Sequence, residues 1–141
     1  MAGFVFNIGA FELLEGTTVW DTSVIKARLV PTADGAIDID ADVMTGIGST
    51  QATASAAIDT PVGPTKDDAA DHVKYTSNDQ GFPAAALAIG ACNRMVFYRF
   101  DTNDAGSVPI VYCDITPVTP NGGDITVTCP VLGWFYTQQH A

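Results

Sequence analysis

The sequence predicts a mainly β domain of the α+β class: an antiparallel β-sandwich or partly open barrel with one short N-terminal helix. Three observations carry this expectation. Apolar and polar residues alternate over short runs, at 24–30, 37–43 and 125–131. Clusters of Gly, Asn, Asp and Ser punctuate those runs, as turns do between strands. One early segment alone has helical spacing, and strands in series behind a single helix pack best as sheet on sheet.

The elements follow in chain order. In 7–15, Ile8, Phe11 and Leu14 recur at helical spacing with Leu13 beside them, so this apolar face is expected on a sheet. Asn7 is the expected N-cap and Gly16 the left-handed stop. Gly9 weakens the helix by about 1 kcal/mol relative to Ala. In 24–30, Ile25, Ala27 and Leu29 point one way and Lys26 and Arg28 the other, giving a half-buried strand ended by Pro31. Residues 37–43 alternate more strictly, with Asp38, Asp40 and Asp42 at the even positions, and read as another strand. Residues 46–64 open on Gly46 and Gly48 and close on Pro61 and Pro64, which predicts a long loop or arm. Alanines 52, 54, 56 and 57 fit a weak strand or a helical turn equally well.

The second half reads as a run of strands. A short one spans 72–75, with a turn at 77–81. The dense apolar run 91–100 and the return strand 108–115 form a hairpin across the polar loop 101–107. A Gly-Gly turn at 121–124 leads to Ile125, Val127, Cys129 and Val131, alternating with outward Thr126 and Thr128. Trp134, Phe135 and Tyr136 end that stretch. Three consecutive aromatics on a strand cannot share one core, so at least one is expected on an exposed surface or a partner. No repeat or domain boundary is visible, so residues 1–141 form one expected domain.

Composition narrows the function classes. The 141 residues suffice to bury about two-thirds of the extended chain's surface without staples. Sixteen acidic residues against six basic give a formal net charge of −10. Phosphate binding needs clustered Lys and Arg, so a nucleic-acid partner is not expected. Hydrophobic content of 47% is too high for a disordered acidic tail. The N-terminus has neither a basic region nor a long apolar run, and no stretch approaches the ~18–20 apolar residues of a membrane span. No membrane partner or targeting segment is therefore expected. Cys92, Cys113 and Cys129 lack Cys-x-x-Cys spacing and read as three reduced, strand-borne apolar side chains; a single bridge is the less favoured reading.

Few residues offer chemistry. Four carboxylates, Asp34, Asp38, Asp40 and Asp42, invite a calcium reading, and the last three have the Asp-x-Asp-x-Asp spacing that opens a calcium loop. Val43, however, stands where that loop's glycine belongs and Ser49 where its bidentate Glu belongs, so a solvated face is the favoured reading. Asp71 and His72 are adjacent, and adjacent strand residues face opposite ways. With His140 near the end, both histidines read as surface residues. No nucleophile elbow or phosphate loop accompanies them, so neither an enzyme nor a cofactor is expected. The candidate partner-contact residues are Lys26 and Arg28, two cations on one strand face in an acidic chain, together with Trp134, Phe135 and Tyr136.

The order of segments resembles a group of small tailed-bacteriophage virion structural proteins. The likeness starts with the helix ending in Gly16 and continues through Asp21-Thr22-Ser23-Val24-Ile25-Lys26-Ala27-Arg28-Leu29-Val30. It includes the acidic stretch leading to Gly46-Ile47-Gly48 and the hairpin Tyr98-Arg99-Phe100-Asp101, Ser107-Val108-Pro109-Ile110, Tyr112-Cys113-Asp114. Residues 46–64 and the Trp-Phe-Tyr ending depart from it. The resemblance implies a structural role without catalytic residues, in a virion assembled from protein made in the host cytoplasm. A net charge of −10 per copy would be repelled by packed DNA, so the capsid exterior is the expected location. The expected function is a capsid decoration (cement) protein that binds the major capsid protein and bridges capsomers, itself a small homo-oligomer (dimer or trimer). A tail or head–tail connector component is the alternative, and a host- or glycan-binding β-sandwich module is the alternative of another class.

Overall fold

The computed structural model describes residues 3–47, 55–69, 72–83, 90–131 and 133–138. Its strands are β1 (Gly3–Val5), β2 (Ile25–Pro31), β3 (Ser55–Ala57), β4 (Val62–Asp67), β5 (His72–Thr76), β6 (Gln80–Phe82), β7 (Cys92–Arg99), β8 (Val108–Val118), β9 (Ile125–Val127) and β10 (Phe135–Gln138). The helix α1 spans Asn7–Glu15, and a 3-10 turn covers Thr32–Asp34. All pairings are antiparallel: a five-stranded sheet ordered β1-β8-β7-β2-β3, a three-stranded sheet β10-β5-β4 and a two-stranded ribbon β6-β9. The fold is thus mainly β with one α-helix among the described residues, sandwich-like, and not a closed barrel.

Alternation builds two apolar layers on the large sheet. Ala27, Phe97 and Val111 stand opposite one another across β2, β7 and β8, as do Leu29, Met95 and Cys113. These face the main core, which Phe82, Ile125, Val127, Trp134 and Phe135 close from the smaller sheets. Trp20 holds the layers together. Its ring meets Phe97 and Phe135 edge-on at 5.4 and 5.3 Å, and its indole N–H donates to the Thr76 carbonyl at 2.9 Å. Edge-to-face aromatic pairs contribute about 0.5–1.5 kcal/mol each beyond the area they bury.

The sheet's opposite face carries a second cluster of Val30, Val96 and Tyr98, covered by Phe6, Met44 and Ile47, with Ile37 and Ala41 at its rim. This corrects the strand expected at 37–43. The segment is irregular because its acidic side chains bond the local backbone: Asp38 Oδ1 accepts the Asp40 N–H at 3.0 Å. Such bonds offer the chain an alternative to a ladder.

Three further expectations change. In the described part of 46–64, Ser55–Ala57 pairs with β2 and β4 begins at Val62, so these residues are sheet and not an arm. Positions 48–54 lie outside the described residues. The strand at 125–131 stops at Val127, since the Cys129 N–H is taken by Asp79 Oδ1 and Pro130 has no N–H to pair; Val131 is exposed. On α1, the N-cap is Phe6 and not Asn7, whose amide instead bonds Asp40, while Gly16 ends the helix in the left-handed conformation at φ 74° as expected.

The face of α1 is the largest correction. Gly9 and Glu12 are its buried residues, whereas Phe11 is 54% and Leu14 89% exposed. A Cβ on Gly9 would stand 2.5 Å from the Ile110 carbonyl oxygen, so the helix lies on β8 at a distance only glycine permits. Close backbone approach, rather than the apolar spacing, sets the inward face.

Candidate contact surface

Each proposed contact residue has a definite place. Trp134 and Phe135 are 1% and 2% exposed and belong to the main core. The Trp134 N–H donates to Ser77 Oγ at 2.7 Å. Both are therefore removed from the candidate surface; of the three aromatics, Tyr136 reaches solvent, its ring 5.3 Å from the His72 ring. Pairing of Phe135 with Tyr75 turns its side chain to the core and leaves that of Tyr136 on the outer face.

Arg28 is also withdrawn. It is buried, and Nη1 and Nη2 donate to Asp104 Oδ2 and Oδ1 at 2.9 and 2.6 Å while Nη1 also reaches the Ile47 carbonyl at 3.1 Å. Burial is the largest influence and works against its charge, but the Asp104 hydrogen bonds, the charges of Tyr98 and Asp104 and a Tyr98 hydrogen bond together overcome it and raise its pKa; the hydrogen bond to Arg28 lowers that of Asp104. Its partner is Asp104 in the chain's own hairpin loop. Lys26 is half-buried, its ammonium 3.3 Å from the centre of the Phe100 ring.

A second pair fixes α1. Arg99 Nε and Nη2 donate to Glu12 Oε2 and Oε1 at 2.9 and 2.8 Å, and Thr18 Oγ1 donates to the same carboxylate. The Arg99 hydrogen bonds hold the Glu12 carboxyl below its usual value, against the opposing pull of burial. With Lys66 on Asp68, Lys74 on Asp67 and Arg94 on Asp114, every one of the six basic side chains is engaged by a carboxylate or a ring. The net charge of −10 is left to the surface.

The chemistry-bearing residues sit as follows. Asp34, Asp38, Asp40 and Asp42 are exposed, and among the described residues no group of three or more His, Cys, Asp or Glu side chains could hold a metal ion. His72 is buried rather than on the surface, its Nε2 4.0 Å from Asp67 Oδ2. Asp71 and His140 lie outside the described residues. The three cysteines are free. Burial, aided by Asp34, pushes the Cys92 thiol up to about 11, and burial, aided by Asp114, pushes Cys113 to about 12. Both are therefore neutral, poorly nucleophilic thiols at physiological pH. A shallow depression lies between Asp59, Ser77, Asp79 and Cys129, and burial raises the Cys129 thiol there too.

What lies outward is apolar and acidic. On α1, Asn7, Phe11 and Leu14 form a stripe at i, i+4 and i+7, opposite buried Gly9 and Glu12. Ile39, 44% exposed, lies beside the helix start, where its carbonyl accepts the Asn7 N–H at 3.2 Å. Sequence spacing found Phe11 and Leu14 but assigned them to the core. The missed signal was the Gly9–Glu12 edge: a glycine for close approach and a carboxylate in a chain with few cations to pair with.

Compared with protein-family models, curated proteins and solved structures, the chain matches none. Among the described residues no helix is long and apolar enough to cross a membrane.

Proposed function

We propose that the protein is a bacteriophage virion structural component, a capsid decoration protein that binds the outer shell and bridges capsomers. The observation that carries this reading is the division of its side chains. Arg28, Arg99 and the two tryptophans are engaged within the fold, while Phe11 and Leu14 stand out on a helix pressed against β8. Function by contact needs such a surface on a stiff scaffold, and attachment to a repeating lattice multiplies weak contacts into avidity. The likeness to phage virion proteins supplies the particle. Its hairpin motif occupies β7, the following loop and β8, where Ser107 Oγ accepts the Asp101 N–H at 3.1 Å and donates to the Asn103 carbonyl at 2.7 Å. A glycan-binding module is the weaker reading, since Trp20 and Trp134, the residues that would stack on a sugar, are each 1% exposed.

Stoichiometry tests the proposal. Quantitative gel densitometry of purified particles should find this chain in hundreds of copies. Six or a dozen copies would make it a connector component, and none would remove it from the virion.

A further inference from the structure

We infer that the outward face of α1, with Ile39 at its start, is a docking surface for a basic protein partner that presents an apolar cleft. Three observations converge on it. First, Phe11 and Leu14 are large apolar side chains at i and i+3 of one helix, 54% and 89% exposed, with Ile39 beside the helix start at 44%. Helices that lay anchors at this spacing into a groove are a recurrent recognition mode. Second, the rim is acidic: Asp38 and Asp40 are exposed at the helix start, and Glu15 is exposed at its end. Third, the helix accepts a local penalty to keep that charge. A carboxylate in the last turn opposes the helix dipole, and no basic residue stands in the last turn to relieve it. A local rule broken at an exposed position, without a structural gain, marks a surface shaped for something else.

Charge selects the occupant. The six side-chain cations of this chain each lie beside one of its own carboxylates or Phe100, so a second copy would bring the same acidic rim and a net charge of −10. Like-charged rims repel and opposite ones steer association. The fitting partner is therefore a different polypeptide, basic around an apolar cleft. The assignment stands on these residues alone, whatever particle or compartment holds the protein.

The test is an ¹⁵N-HSQC titration of the full chain with two synthetic amphipathic helical peptides, one of Lys and Leu and one of Glu and Leu. The Lys/Leu peptide should shift amides of α1 and Ile39, with affinity that falls several-fold as salt rises. The Glu/Leu peptide should not bind. Phe11→Ser/Leu14→Ser should weaken Lys/Leu binding about tenfold or more. Should that variant unfold, Glu15→Lys, a change at an exposed side chain, should still erase the preference between the peptides. Equal binding of both peptides, shifts confined to other elements, or concentration-dependent shifts of α1 without peptide (a second copy) would overturn the inference. So would binding of the chain to uncharged phosphatidylcholine vesicles through the same amides.

Discussion

At the scale of single residues, the protein's few cations determine what its many carboxylates can do. Arg99 takes both oxygens of Glu12 and Arg28 both oxygens of Asp104, so two charges that a sequence reader would place at the surface become internal ties. The Glu12 tie has a pH signature. Its folded pKa lies below the ordinary value of 4.5, so its stabilisation is complete above that value and is lost as pH falls through the lowered one. Urea unfolding should therefore show no Glu12-dependent change between pH 7 and about 5, then a decline in more acidic solution. Glu12→Gln should cost roughly 2 kcal/mol at pH 7 and flatten part of the acid decline. An unchanged acid slope in the variant would show that the pair contributes nothing.

At the scale of elements, the sequence was most legible where one face is buried and the other is not. The strands β2, β5 and β7 and the hairpin to β8 stand where alternation and turn residues put them, and so does α1 with its Gly16 stop. Alternation failed at 37–43, where Asp38 bonds the local backbone, and at 129–131, where Asp79 and Pro130 end the ladder. It also could not show that the second face of the large sheet is covered, because that cover comes from Met44 and Ile47 in an irregular segment. The orientation of α1 was hidden for a related reason: hydrophobic spacing ranks side chains by water aversion, whereas Gly9 is inside because of what it lacks. Gly9→Ala tests this. Helix propensity alone would gain about 1 kcal/mol. The clash with Ile110 should instead make the change destabilising by about 1–3 kcal/mol, read as a lower urea midpoint. A rise in the midpoint would mean that the helix does not press on β8.

At the scale of the whole molecule, the contact residues expected from sequence were mostly taken inside: Arg28, Trp134 and Phe135 are buried, while Lys26 keeps a half-buried place and Tyr136 an exposed one. The α1 stripe with Phe11 and Leu14 instead stands outward on a two-layered scaffold that carries a net charge of −10. A charge of that sign suits a place away from packed nucleic acid and keeps unattached copies apart in solution. Under the proposed function it would also steer them toward a basic lattice. The decisive measurement is a cryo-electron microscopy reconstruction of the intact particle. The account predicts density for this fold on the outside of the shell, repeated with the capsomers and seated through α1. Density confined to the tail or to one vertex, or a shell on which the fold is nowhere found, would contradict it.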